Sequence, residues 1–559
     1  MPLSLNYLVL WITYHVSHRS KERQVPPVLP SLCPSLQNTF RFLFDSANFI
    51  KKATRYAGRA TSTCITIAFK DIYFIQDHFA VAAMWKQSQL ASPIYIYAYA
   101  LQNVFGMPST CLQAYRSDSS GPYKKPFPGT NVEPQNRVDF LTHESLVRAF
   151  SGPGLKPSFD RFQRSVERRL DGLCPRTAAT EWIQHYDMLS WFRNIIGEAL
   201  LETLFGKRLL ELNPNFVEDL WHFDHSVPWL AKQIPRFLMP KAYKTRLRLL
   251  EGIKRWHSVA RREFDDGMIF PDGDGDPVWG SYLMRERQSI LASVEGQDEE
   301  GVAAADLGLI WASITNVVPA AMMSVLHIWN DKDLLARVQY ELARKMPSSD
   351  VAAVSIPGID MSSLDKLPIL NSVYAETLRC YVQAFITRGS AESDIPIGAW
   401  WLPKSGIAMV SSHIRHTDET FWNTMDGKRP VNQFWADRFL VFKHNMSSGP
   451  IQQPVRHRMG LDNKRRRGTV KSLKKSEKHG DDMHCDMRGL EGSWIPYGGG
   501  FGACPGRILT KKIMIWFTAH MITHYEVEIL TKSWEMDNSR YGFGMQKPKQ
   551  RVAFRMRKL

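Results

Sequence analysis

The sequence predicts a mainly α protein with a small β part. Three features point that way. Residues 180–265 carry Trp and Phe at three- and four-residue spacings, the period of a helix with one buried face. Residues 303–328 form a nearly unbroken apolar run, and residues 331–345 are amphipathic with an acidic start and a basic end, a polarity that suits the helix dipole. Alternating, β-branched sequence is confined to short stretches. Cys64–Phe74 reads as strands and Trp400–Gly406 as a strand turn.

Composition sets the outer limits. The chain has 559 residues, 44% hydrophobic and 11% aromatic, and its 17 Trp and 29 Phe suffice to line a large apolar pocket. Length alone suggests about two to four domains. The seven cysteines are odd in number and scattered, with no CxxC pair. That argues against a disulfide framework and for a reducing, cytosol-facing compartment. The net charge of +16 is uneven: Val441 to Leu490 holds 12 basic and 5 acidic residues. This stretch has no apolar period and reads as a disordered or solvated insertion. Its KRRR run, Lys464–Arg467, mimics a nuclear signal, but no nucleic-acid-reading module accompanies it, so no nucleic-acid partner is expected. His479, His484 and Cys485 lack the fourth ligand and regular spacing of a zinc site.

In chain order, residues 1–18 carry no Asp, Glu, Lys or Arg and many apolar side chains, and Arg19, Lys21 and Arg23 follow. A membrane span needs ~20 apolar residues, so this is a short N-terminal anchor with a cytoplasmic basic flank. An interfacial helix is the competing reading; a signal peptide would carry its charges first. Pro26, Pro27 and Pro30 stiffen the linker within residues 19–60. Residues 94–129 have Gly/Pro punctuation and little period. A short helix over Leu141–Arg148 stops at Ser151–Leu155. Pro271–Pro277 is a turn-rich acidic loop without the bidentate Glu of a calcium site.

Two stretches carry chemistry. Pro319 lies inside the 303–328 helix and cannot donate to the Thr315 carbonyl, so the helix bends beside Ala312, Ser313, Thr315 and Asn316. Satisfied core polarity is the bland alternative. Cys504 lies between Gly498, Gly499, Gly500 and Gly502 and an amphipathic run that puts Leu509, Ile513 and Trp516 on one face. Pro505 marks the expected helix start. A thiol at a helix N-terminus is shifted toward thiolate, and glycines leave room for a large flat group against the backbone. A thiolate held this way suits the axial ligand of a haem iron; a buried structural cysteine is the bland alternative.

Tyr497, Gly500, Cys504 and Gly506, with Pro505 and Arg507, resemble the haem-binding signature of the cytochrome P-450 family. Tyr497 stands where Phe is usual, and Gly502 where a basic residue often meets a haem propionate. Three further stretches follow the family's order. Ala312–Asn316 resembles its central-helix motif, with Thr315 for the acid and Asn316 for the threonine. WAS followed by Asn and Pro is similar to the branch with prostacyclin synthase, the sterol 7α-hydroxylases and many fungal enzymes. Glu376 and Arg379 sit three apart on one helical face. Phe434–Phe439 resembles the second arginine motif, with Ala436 for Pro and Asp437 for Glu. The resemblance implies that Glu376, Arg379 and Arg438 form a buried network holding the cysteine loop. Arg388 and Arg148 fall where relatives contact a haem propionate, although Glu144 stands where a Trp is usual.

The resemblance implies a single large domain of the family's fold over residues 61–559, carrying the 441–490 insertion. It implies heme b bound through Cys504. Electrons from NADPH would arrive through a reductase whose acidic face docks on a basic proximal surface. The expected reaction inserts one oxygen atom from O₂ into an apolar small molecule: a lipid, terpenoid, sterol or polyketide of secondary metabolism. Asn316, Thr315 and the freed Thr315 carbonyl would order water and deliver protons. The expected location is the endoplasmic reticulum membrane, facing the cytosol. The rival is an isomerase or dehydratase of the prostacyclin synthase kind, which rearranges a peroxide without O₂ or reductase. The replaced acid and threonine favour that rival; the Asn amide and the basic insertion favour oxygenation.

Overall fold

The computed structural model describes residues 8, 11–12, 24–56, 58–173, 181–345, 361–389, 393–461 and 483–559. The proposed anchor lies almost wholly outside the described residues, as do the KRRR run, His479 and Cys174. Leu8, Trp11 and Ile12 are described and exposed. The chain divides into two compact units. One comprises residues 1–90, 331–351 and 360–501; the other comprises 91–330, 352–359 and 502–559. The segments interleave, so no single cut of the chain separates them.

The first unit holds the larger sheet. Thr63–Ile67 and Lys70–Phe74 form a hairpin whose turn residues, Ala68 and Phe69, take φ of 48° and 64°. Two such residues in succession match the right-handed strand twist. Lys70–Phe74 runs parallel to Ile407–Ser411, which pairs antiparallel with Val382–Gly389 so that Arg388 faces Ala408 across the strands. Ile75, Val81, Met84, Ile397, Leu402, Val410 and Ile495 form one apolar cluster here. The helix Lys332–Lys345 starts where Asp331 accepts from Leu334 N. The described ends of the basic insertion are built rather than solvated coil. Leu440–Phe442 pairs with Met483–Cys485, and a helix spans Gln453–Arg458. Buried Arg456 explains part of this order, because it donates to the carbonyls of Ser448 and Met446.

The second unit is helical. Its centre is the pair of helices Glu299–Ile314 and Val317–Asn330, interrupted at Thr315–Asn316. Asp298 caps the first by accepting from Gly301 N at 2.8 Å. The interruption lies where Pro319 lacks the N–H for the Thr315 carbonyl. Counted through this break, Glu299–Asn330 is long and apolar enough to cross a membrane, and no other described helix is. Protein buries 78% of its apolar window, so its apolarity serves the core. The cysteine helix, Arg507–His524, packs on the second half of the central helix. Its Trp516 meets Phe159 and Phe162 edge-on at 6.2 and 6.0 Å. Tyr525–Ile529, Phe554–Lys558 and Ile183–His185 form a small antiparallel sheet.

Ile94–Asn103 (IYIYAYALQN) lies in the stretch read as having little period, yet it is a helix that buries Ile94, Ala98 and Leu101. Helical spacing of those three decides it once neighbours supply a core. In the acidic loop, Asp272 and Asp274 accept from Arg161 at 2.7 and 2.6 Å, and Asp276 accepts from Val278 N and Trp279 N. These carboxylates hold a guanidinium and cap backbone.

Asp306, on the central helix, is fully buried between Arg287 Nε at 2.5 Å and His257 Nε2 at 3.0 Å. Desolvation raises its pKa, but Arg287 and His257 outweigh it and hold the carboxyl below its usual range. A depressed folded pKa contributes stability that is present above the unfolded value and lost as pH falls through the folded one. Asp306→Asn is expected to cost about 3–5 kcal/mol in urea unfolding at neutral pH. It should also flatten the acid limb of stability against pH; an unchanged midpoint would exclude this account of the pair.

Candidate functional site

In the first unit the site is built on the helix Pro368–Tyr381. Glu376, Arg379 and Arg438 are all 0% exposed. Arg379 donates through Nε and Nη2 to the two Glu376 oxygens at 2.6 and 2.8 Å. Arg438 Nε and Trp435 N each donate to Oε1 at 3.0 Å. The remaining guanidinium donors meet carbonyls and one sulfur: Arg379 the carbonyls of His416 and Val431 and the Cys380 Sγ, Arg438 the carbonyls of Asn423 and Pro430. Burial alone would raise the Glu376 pKa; the two guanidiniums outweigh it and hold the group ionised.

The approach to the glycines is tied to the same helix. Trp494 Nε1 donates to Ala375 O at 3.0 Å, and the Tyr374 and Tyr497 hydroxyls are 3.0 Å apart. Ile495 N donates to His416 Nε2, so the residue that hands its own carbonyl to Arg379 also holds this loop. Gly498 and Gly500 have φ of 73° and 65°. The flat group against the glycines is Trp85. A Cβ on Gly499 would lie 2.6 Å from its Nε1, and one on Gly500 2.5 Å from its carbonyl oxygen. The Arg388 guanidinium stacks 5.8 Å from the same indole and donates to Thr387 O. Arg388, Trp85 and the glycines thus come together, and nothing in the sequence pattern marks Trp85 as a member.

In the second unit Cys504 precedes the cysteine helix. The helix starts at Arg507, two residues later than Pro505 suggests. The Cys504 carbonyl is taken first by Arg507 N in a tight turn. Leu509, Ile513 and Trp516 are buried. The Cys504 side chain is accessible although protein surrounds it closely. Desolvation is the largest influence and pushes the thiol up; the Gly506 and Arg507 N–H groups and the Arg507 charge pull it down without prevailing. The helix end therefore acts on the thiol as expected, but burial outweighs it. The surroundings fit a thiolate–metal bond. The Gly506 backbone lies close enough that an added Cβ would stand 3.8 Å from Sγ, and the Gly506 and Arg507 amides and the Arg507 charge favour the anion.

Between Gly301 and Leu326 the central helix is buried except at Trp311, Ala312, Ser313 and Asn316. Thr315 is buried, and its hydroxyl donates back to Trp311 O at 2.9 Å. That takes up its one proton and turns it away from the accessible face. Asn316 Oδ1 accepts from Met545 N at 2.9 Å. Gly544 permits this approach, since a Cβ there would sit 2.1 Å from Oδ1. The Asn316 amide hydrogens have no partner among the described residues. Trp311 Nε1 donates to Asp224 Oδ1 at 2.9 Å. Asp224 also takes both ends of Arg540, separated from it by 316 residues; such pairing leaves no local signal.

Arg148 has protein partners in the structure. Its guanidinium pairs with Glu286 at 3.0 Å and lies over Tyr282 at 4.6 Å, with the side chain 49% exposed. The residue is on the outward face of the helix Val138–Phe150, whose inward residues include Ser145 and Phe150. Among the described residues no group of three His, Cys, Asp or Glu is arranged to hold a metal ion. His484 and Cys485 belong to a strand pairing.

Comparison with known proteins agrees with these landmarks. A family model described as cytochrome P450 matches residues 124–445, more than half of the chain. The match takes in the central helix, Glu376, Arg379 and Arg438 and ends before the cysteine loop. Cytochrome P450 monooxygenase fsoE of Humicola fuscoatra is 28% identical over 100% of this chain and 94% of its own length. Cholesterol 7-alpha-monooxygenase of Cricetulus griseus is 23% identical over 68% of each chain. A solved structure, retinoic acid bound cyanobacterial CYP120A1, superposes with a TM-score of 0.61 at 15% identity, covering 96% of this chain and 100% of that one.

Glu376→Gln would leave two buried guanidiniums facing a neutral amide. The expected loss is about 3–5 kcal/mol by chemical denaturation. Ala substitution at the exposed Arg148 is expected to change stability by less than about 1 kcal/mol. Equal effects of the two would refute the distinction drawn between them.

Proposed function

This chain belongs to the cytochrome P450 family, and we propose that it is a monooxygenase inserting one oxygen atom from O₂ into an apolar small molecule of secondary metabolism. Cys504 carries the reading: an accessible sulfur just before the Arg507–His524 helix, with the glycine backbone of Gly506 beside it and amides and an Arg507 charge that favour the thiolate. Cys504 would hold the haem iron, and Arg388 is the candidate for a propionate contact. When bound, a thiolate-ligated haem supplies activation of dioxygen by electron donation from sulfur.

The chain's own residues supply position and protons. Thr315 spends its hydroxyl proton on the Trp311 carbonyl and so has none left to donate to a water. The proton-handling role falls to Asn316. Met545 N–H fixes its oxygen, and its amide hydrogens are left to hold a water on the accessible face of the helix. An amide cannot itself release a proton at neutral pH, so it works by orienting water.

Electrons would come from NADPH through a reductase. Exposed Arg507 puts positive charge beside Cys504, and the 441–490 stretch carries its own basic excess. Residues 1–18 would anchor the chain at the endoplasmic reticulum, with the catalytic part in the cytosol. A lipid, terpenoid, sterol or polyketide fits the reading.

Full-length protein with reductase, NADPH and ¹⁸O₂ tests it. One labelled oxygen in the product and NADPH consumed in step support oxygenation. Product formed from a peroxide without NADPH would overturn it in favour of rearrangement. Cys504→Ser should abolish the reduced-CO spectrum of a thiolate-ligated haem. Asn316→Ala is expected to lower coupled turnover by about 10²-fold while that spectrum persists; unaffected coupling would remove Asn316 from the reaction.

A further inference from the structure

The second unit contains a cavity of about 590 Å³, within the range of about 300–1,000 Å³ that small-molecule sites occupy. Met322 of the central helix lines it, with Leu189, Val217, Trp221 and the strap Lys547–Val552. Arg193 and Lys547 share its wall. Arg193 Cζ lies 4.4 Å from the Trp221 ring centroid, and Lys547 Nζ lies 5.9 Å from it. Lys547 is 3.6 Å from Asp224, which Arg540 already holds with two hydrogen bonds.

Arg193 is the anomaly. It makes no ion pair or hydrogen bond among the described residues, and its buried Nε is without a partner. Trp221 Nε1 beside it is equally unpartnered. Burial pulls the Arg193 pKa down, with Asp187 and Asp224 as partial compensation. An unpaired guanidinium in such a place costs stability unless a ligand meets it. The carboxylates that share the cavity wall do not serve. Glu198 is taken by Arg169, Asp187 accepts from Ser190, Asp537 accepts from Ser539 N, and Glu218 is exposed.

We propose that this cavity binds an amphipathic organic carboxylate. The carboxylate would pair with Arg193 and Lys547, and the apolar body would lie along Trp221, Leu189, Val217 and Met322. Planar guanidinium matches carboxylate with two parallel hydrogen bonds, and the aliphatic and indole surfaces take the chain. The proposal stands apart from the oxygenation reading, because none of these residues belongs to the cysteine loop.

The test uses full-length holoenzyme with the haem iron saturated by a bulky N-substituted imidazole, so that binding near iron is blocked. Dodecanoate and dodecan-1-ol are titrated by calorimetry. Dodecanoate is expected to bind about tenfold or more tightly than the alcohol, and added salt should weaken that preference. Arg193→Gln and Lys547→Gln should each weaken dodecanoate by about tenfold and leave the alcohol unchanged. Equal binding of acid and alcohol to the unaltered protein, no binding of the acid, or wild-type dodecanoate affinity in Arg193→Gln would each overturn the proposal. The comparison of acid with alcohol needs no variant, so it decides the matter even where a substitution unfolds the chain.

Discussion

A carboxylate wholly removed from water holds two guanidiniums, and the cysteine loop's approach depends on it. Glu376 gives its oxygens to Arg379, Arg438 and the Trp435 N–H. The arrangement carries one positive charge too many, and the chain answers with carbonyls rather than a second acid. His416, Val431, Asn423 and Pro430 each turn an oxygen toward a guanidinium. Charged groups buried this way are costly singly and tolerable together. Segments far apart in sequence are thereby fixed around one helix, and Trp494, Ile495 and Tyr497 follow because their partners are on that helix or beside it.

The central helix applies a different constraint. A proline leaves one carbonyl without its donor and interrupts the ladder at Thr315–Asn316. The strap 543–552 then supplies what the helix lacks. Met545 N–H reaches Asn316, and Gly544 makes space for that contact. Two residues further on, Lys547 joins the cation group around Trp221. One short strap therefore orients the amide on the helix and lines the neighbouring cavity.

Thiol chemistry at Cys504 shows how competing effects are decided by magnitude. Backbone N–H groups and Arg507 favour the anion, and desolvation disfavours it more strongly. A cysteine in that balance is poised to gain from a bound cation, since a metal removes the penalty that burial imposes on a bare thiolate.

Sequence by itself determined the helical class, the broken central helix, the Glu376–Arg379 spacing and the cysteine among glycines. These are local facts: a period, a missing N–H, a three-residue offset, an absent Cβ. Only the tertiary structure decided the rest. It gave the glycines an indole, Trp85, as their neighbour, turned Arg148 outward to Glu286, made a helix of Ile94–Asn103 and joined Asp224 to Arg540. Each of those outcomes depends on which surface a residue meets across hundreds of positions. Side-chain pattern along the chain encodes which face is apolar, but not what lies against it.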